Sequence, residues 1–154
     1  SAPSFGENAA GKALHYSQFT TSPILADDSG LVVPALNNAP GVRSARYAGP
    51  NATSSQRNEK LLQEMRHLRG DDRRAHFICV LAVARQGYAI AIISARADGQ
   101  ITAAPSGTAG FGYDPIFHIP ALNKTFAELS PDQKNLLSHR GKAFDRLRYV
   151  LAGL

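Results

Sequence analysis

A chain of 154 residues, 44% of them hydrophobic, has the size of one domain and enough apolar side chain to bury a core. Lys and Arg outnumber Asp and Glu by 17 to 12, a net charge of +5 that favours anions such as phosphates; the basic residues are not interleaved with aromatics, so they read as a solvated face and no stable nucleic-acid partner is expected. The sequence holds no run of about 18 uncharged apolar residues and no signal-peptide pattern, so no membrane partner and a cytoplasmic address are the expectations.

Ser4-Phe5-Gly6-Glu7 has the form of a capping box, and the spacing of Ala9, Ala13 and Tyr16 predicts a helix from about Ser4 to Thr20, stopped before Pro23. Ile24-Leu25-Ala26 reads as a short strand, Asp27-Asp28-Ser29-Gly30 as a break, and Leu31-Val32-Val33 as a resumed extended run, which places the acidic pair at a strand-loop junction. From Ser54 to Arg69, Leu61, Leu62, Met65 and Leu68 recur at helical spacing, with Ser54 or Ser55 as the cap. Ala75 to Arg85 and Ala89 to Ala97 form a hairpin through Gln86-Gly87. Cys79, the one cysteine, lies in its apolar run and reads as a small buried hydrophobe; a disulfide within these residues is excluded.

Beyond the hairpin, the glycine-rich stretch from Ile101 to Tyr113 reads as a ligand-facing loop, and Thr125-Phe-Ala-Glu128 repeats the capping-box pattern. Ser130-Pro131 opens a last helical region whose Phe144, Leu147, Val150 and Leu151 form an apolar stripe. No internal repeat or linker divides the chain, so residues 1–154 are expected to form a single domain.

Two adjacent carboxylates repel unless a cation lies between them, and magnesium, which bridges carboxylates to substrate phosphates, suits Asp27 and Asp28. Because successive strand side chains point oppositely, one aspartate would hold metal while the other orients a water if the junction twists. An acidic turn is the plainer reading of the same residues. Glu7 serves equally as the capping-box partner of Ser4, and Lys12 as a surface lysine or a cation aimed at phosphates. Phe111, flanked by Gly110 and Gly112, offers a ring for a flat ligand, while Lys134 and Ser138-His139-Arg140 supply donors for a purine carbonyl.

Taken together, five blocks in one order resemble the non-standard purine nucleoside triphosphate pyrophosphatase family, whose best-known member is inosine triphosphatase. They are Ser4 to Ala9 with Lys12, Ala26 to Leu31, Pro40-Gly41-Val42 with Ser44 to Tyr47, Gly110 to Pro115, and Lys134 with Ser138 to Arg140. The resemblance implies an α/β fold, with an elongated mixed sheet flanked by helices and two lobes around a nucleotide cleft. It implies a homodimer, and a Mg2+-dependent attack of water on the α-phosphorus of inosine, deoxyinosine or xanthosine triphosphate, releasing pyrophosphate. By similarity, Asp28 is the general base; Glu7, Asp27 and Asp28 hold metal; Lys12 and Ser29 bind phosphate. Phe111, Gly112, Tyr113, Asp114, Lys134, His139 and Arg140 form the base pocket.

Three departures stand out. The family's leading strand and its Thr-Gly-Asn phosphate loop have no counterpart here, so the resemblance implies either a fragment or a naturally shortened relative with impaired phosphate binding, and an unpaired sheet edge if nothing replaces that strand. Asn51 to Ser55 stand where the family has an acidic helix cap, and Ala95 where it has a glycine. Two other readings follow: a nucleotide-binding relative that has lost turnover and serves as a sensor or scaffold, and a basic nucleic-acid-binding domain. Lys134 and His139, five residues apart, would stand roughly 140° apart on one unbroken helix, so their convergence predicts a helix break near Ser138.

Overall fold

The computed structural model describes residues 4–154. Helix α1 (Phe5–Ser17) starts on the predicted capping box: the Ser4 side chain accepts from Glu7 N–H, and Glu7 accepts from the Ser4 backbone. It ends at Ser17 rather than near Thr20, with Gln18 closing its last turn.

Strand β1 (Ile24–Val32) corrects the sequence reading, because Asp27-Asp28-Ser29-Gly30 does not break it. The acidic pair lies mid-strand, opposite Leu81 and Val80 of β2 (Arg74–Arg85). Main-chain pairing along the long, apolar β2 carries the polar stretch as extended chain, whatever its local turn tendency. Gly30 has a separate reason: a Cβ there would stand 2.6 Å from the Gly41 carbonyl and the Ser44 hydroxyl. Its bareness lets the 3₁₀ turn Gly41–Arg46 press on β1, where Ser44 Oγ accepts from Leu31 N–H at 2.9 Å.

Helix α2 (Ser54–Glu64) is capped by Thr53, not by Ser54 or Ser55; Gln56 completes the box, doing the work of the acidic cap. It ends before Arg69, and Leu61 and Met65 point into the core. β2 turns through Gln86 and Gly87, both at positive φ as a tight hairpin demands, into β3 (Tyr88–Ile101). Two short strands, β4 (Phe117–Ile119) and β5 (Lys124–Thr125), complete a sheet in the order β1-β2-β3-β4-β5, antiparallel at every pairing among the described residues. The Thr125/Glu128 capping box forms, but it caps only a single 3₁₀ turn, Phe126–Glu128.

β2 is buried on both faces. Val80, Ala82 and Ala84 pack against Ala9 and Ala13 of α1, while Cys79, Leu81 and Val83 pack with Ala95 beneath Ala143 and Leu147 of α4 (His139–Ala152). Cys79 is thus the buried hydrophobe expected. Of the predicted α4 stripe, Leu147 is buried and Val150 packs on it, but Phe144 and Leu151 are exposed; Ala143 faces the sheet instead. The third cluster joins Leu31, Leu61, Met65, Phe77, Phe117 and Phe126 at the other end of β2, so the sheet links two lobes, one under α1 and α4 and one around α2 and the loops.

Candidate active site

The junction of the two lobes gathers most of the singled-out residues. A cleft of about 180 Å³ is lined by Ser29, Gly30, Ser44, Ala45, Arg57, Phe77, Phe111 to Asp114, His139 and Arg140. Helix α3 (Pro131–Leu137) ends at Ser138, which adopts extended backbone and caps α4 in turn, its hydroxyl accepting from Gly141 N–H at 3.0 Å. That break, as predicted, turns Lys134 and His139 toward the same loop.

Lys134 Nζ lies 2.5 Å from Asp114 Oδ2 and 4.3 Å from the centre of the Phe111 ring. Asp114 is buried; besides Lys134 it accepts from the Phe111 N–H at 2.8 Å and so orders the turn that presents the ring. Phe111 itself is 62% exposed, with the Lys134 and Arg140 cations over its ring. Tyr113 faces inward, its hydroxyl donating to the Ser44 carbonyl at 2.7 Å, and burial pushes its pKa well up. His139 lies flat on Phe77, ring centres 4.7 Å apart and planes within 13°. Burial, reinforced by the Arg140 and Lys134 charges, pushes its imidazole down to about 4, so it is neutral at pH 7. Its Nδ1 is buried and has no partner among the described residues.

The acidic pair divides over the strand. Asp27 turns toward α4, with Oδ2 2.9 Å from Arg140 Nη2 and 3.3 Å from Ser29 Oγ. Asp28 turns toward α1, where Lys12 Nζ reaches Oδ1 at 3.2 Å and Asn8 Nδ2 reaches Oδ2 at 3.2 Å; Lys12 also donates to the Asp27 carbonyl. Glu7 is exposed and engaged with Ser4, whose backbone N–H, then hydroxyl, hold its carboxyl below the usual range. Among the described residues no three His, Cys, Asp or Glu side chains form a metal-holding group. Magnesium, however, commonly takes one or two carboxylates and completes its shell with water and substrate phosphate, and Asp28 fits that demand.

Sequence reasoning overlooked three contributors. Asn8 holds the second oxygen of Asp28. Arg57 pins the cleft wall, donating to the Ala45 and Ala52 carbonyls at 3.2 and 2.7 Å. Asn58 is buried against the glycine loop. A polar residue on an amphipathic helix carries no local mark of such contacts.

Comparison with known proteins decides the lineage, because the model of the Ham1 family matches residues 1–150. The chain belongs to the Ham1 family. A dITP/XTP pyrophosphatase of Geobacillus kaustophilus is 49% identical over 143 residues, 93% of this chain and 70% of that protein. Another from Coxiella burnetii is 47% identical over 96% of this chain and 74% of its own length. Among solved structures, a Ham1 protein from Coxiella burnetii superposes with TM-score 0.93 at 44% identity, covering all of this chain and 79% of that one. The Ham1 protein of Staphylococcus aureus does so with TM-score 0.93 at 40% identity, over 99% and 79%. The Ham1 fold, a helix-flanked α/β architecture, is therefore the fold of this chain. No helix among its described residues is long and apolar enough to cross a membrane.

Proposed function

We propose that this chain hydrolyses non-canonical purine nucleoside triphosphates, the inosine, deoxyinosine and xanthosine forms, to the monophosphate and pyrophosphate. One observation carries the reading beyond family membership: Arg140 spans the two halves of the site. Its Nη2 lies 2.9 Å from Asp27 while its guanidinium carbon lies 5.6 Å from the centre of the Phe111 ring, so a base on Phe111 and a phosphate chain near β1 fit one molecule. Residues 1–154 would make up one such domain.

In this reaction water attacks the α-phosphorus, a new P–O bond forms, and the bond to the bridging oxygen breaks as pyrophosphate leaves. Asp28, oriented by Asn8 and Lys12 on its two oxygens, takes the proton of that water. Lys12 and the Ser29 hydroxyl face the phosphate chain. A bound Mg2+ would be held by Asp28 on the α1 side of β1, where Glu7 also lies, and would neutralise phosphate charge; Asp27, engaged with Arg140 on the α4 side, would reach it only through water. At the other end Phe111 stacks on the base, with Gly112, Tyr113 and Asp114 shaping the turn. Lys134, Arg140 and neutral His139 offer donors to a 6-oxo group. Adenine brings an amino donor there instead, and each buried donor left unpaired costs about 1–3 kcal/mol, a tenfold to hundredfold rejection.

A homodimer and a cytoplasmic address belong to the same reading; Tyr88, Ile90 and Ile92, exposed on alternate positions of β3, supply apolar surface for a partner copy. Pyrophosphate release from inosine, xanthosine, adenosine and guanosine triphosphates with Mg2+ tests the proposal. We expect preference for the first two and a loss of at least about a hundredfold in Asp28→Asn. Equal rates in the variant would take Asp28 out of its role. Tight nucleotide binding without release would turn the reading toward a sensor or scaffold, and affinity for DNA that falls steeply with salt toward nucleic-acid binding.

A further inference from the structure

The turn Gly107–Gly112 is a partition. On one side lies the base cleft; on the other opens a larger space of about 950 Å³ bounded by α2, Pro105 and Pro115, and Phe111 and Gly112 face both. Gly107, Gly110 and Gly112 all have positive φ, and a Cβ on the first two would strike the Ala127 backbone at 2.5 Å and Asp114 Oδ2 at 2.1 Å. A glycine-rich turn of this kind loses much conformational freedom on ordering, so what holds it decides where Phe111 stands. Within the turn, Ala109 N–H donates to Ala127 O at 3.1 Å and Phe111 N–H to Asp114 at 2.8 Å. Its hydrogen bond to α2 comes from Asn58, whose Nδ2 donates to Gly112 O at 3.2 Å.

Asn58 is 5% exposed, and among the described residues nothing donates to its buried Oδ1. A buried acceptor left open offsets much of what the donor side contributes, so this amide adds little to folding that a leucine of similar volume would not add. A buried polar group with an open acceptor, set against the one turn that presents the stacking ring, calls for a functional reason. We infer that Asn58 is a positioning residue for base recognition: its amide, through Gly112, holds the turn that places Phe111 beside Lys134 and Arg140. The inference rests on the function proposed above.

The test compares the full chain with Asn58→Leu, and with Asn58→Ser should leucine not fit. Losing one hydrogen bond from a positioned loop is expected to raise KM for inosine triphosphate about tenfold with kcat within about twofold, and to narrow the inosine-to-adenosine preference. Amide exchange across residues 109–113, measured without nucleotide, is expected to quicken about tenfold while the thermal midpoint of the leucine variant holds or rises. Unchanged KM in an active parent, or unchanged exchange, overturns the inference. So does a joint fall of kcat and thermal midpoint with KM held, the pattern of a residue that only packs. A parent chain that releases no pyrophosphate defeats the functional reading alone, since the exchange comparison still decides the tether.

Discussion

Asp27 and Asp28 are neighbours in sequence and opposites in space: one meets Arg140 on the α4 side, the other Lys12 and Asn8 on the α1 side. Alternation makes that separation legible once the residues are known to be strand, but the sequence reads them as a break and only pairing with β2 makes them strand. His139 was not so legible, because a His-Arg pair near a helix start reads as a polar face, whereas the fold lays the imidazole on Phe77. Its burial carries a pH signature. The folded-state value of about 4 lies below the ordinary 6.5, so between the two the unfolded chain binds more protons. Stability is full above about pH 6.5 and drains as pH falls toward 4, by on the order of 3 kcal/mol from this group. Urea denaturation at pH 7 and pH 4.5 checks this, and His139→Gln should flatten the difference.

At the scale of elements, the joint between α3 and α4 sets where Lys134, His139 and Arg140 stand. Ser138 ends one helix and caps the next, and Gly141 lets the two backbones close, since a Cβ there would stand 1.8 Å from the Asn135 carbonyl. Gly141→Ala is therefore expected to cost about 1–3 kcal/mol and to displace His139 and Arg140, raising KM along with the loss of stability. Chemical denaturation and steady-state kinetics on the same preparation measure both. The break itself was readable from Lys134 and His139, five residues apart and needed at one place. The continuity of β1 through Asp27-Asp28-Ser29-Gly30 was not, because it comes from pairing with β2, a partner about fifty positions away in the chain.

Across the whole molecule, β2 is the common member of all three apolar clusters, and Phe77 marks where the lobes meet. Its ring stands 4.6 Å from that of Phe117 and 4.7 Å from His139, so core and site share one side chain. Phe77→Ala is expected to lower stability by about 3–5 kcal/mol, read by urea denaturation, and to abolish base discrimination. By itself the sequence determined what local chemistry determines: the first capping box, the hairpin, the amphipathic α2 and the residue types proposed for a phosphate and purine site. The tertiary structure alone decided which of those residues meet. Arg140 reaching Asp27 across 113 positions, Asn58 holding Gly112, and Tyr113 anchored on Ser44 depend on long-range packing of the sheet and its helices. Patterns of spacing record only near neighbours, and contacts like these leave no period in the chain.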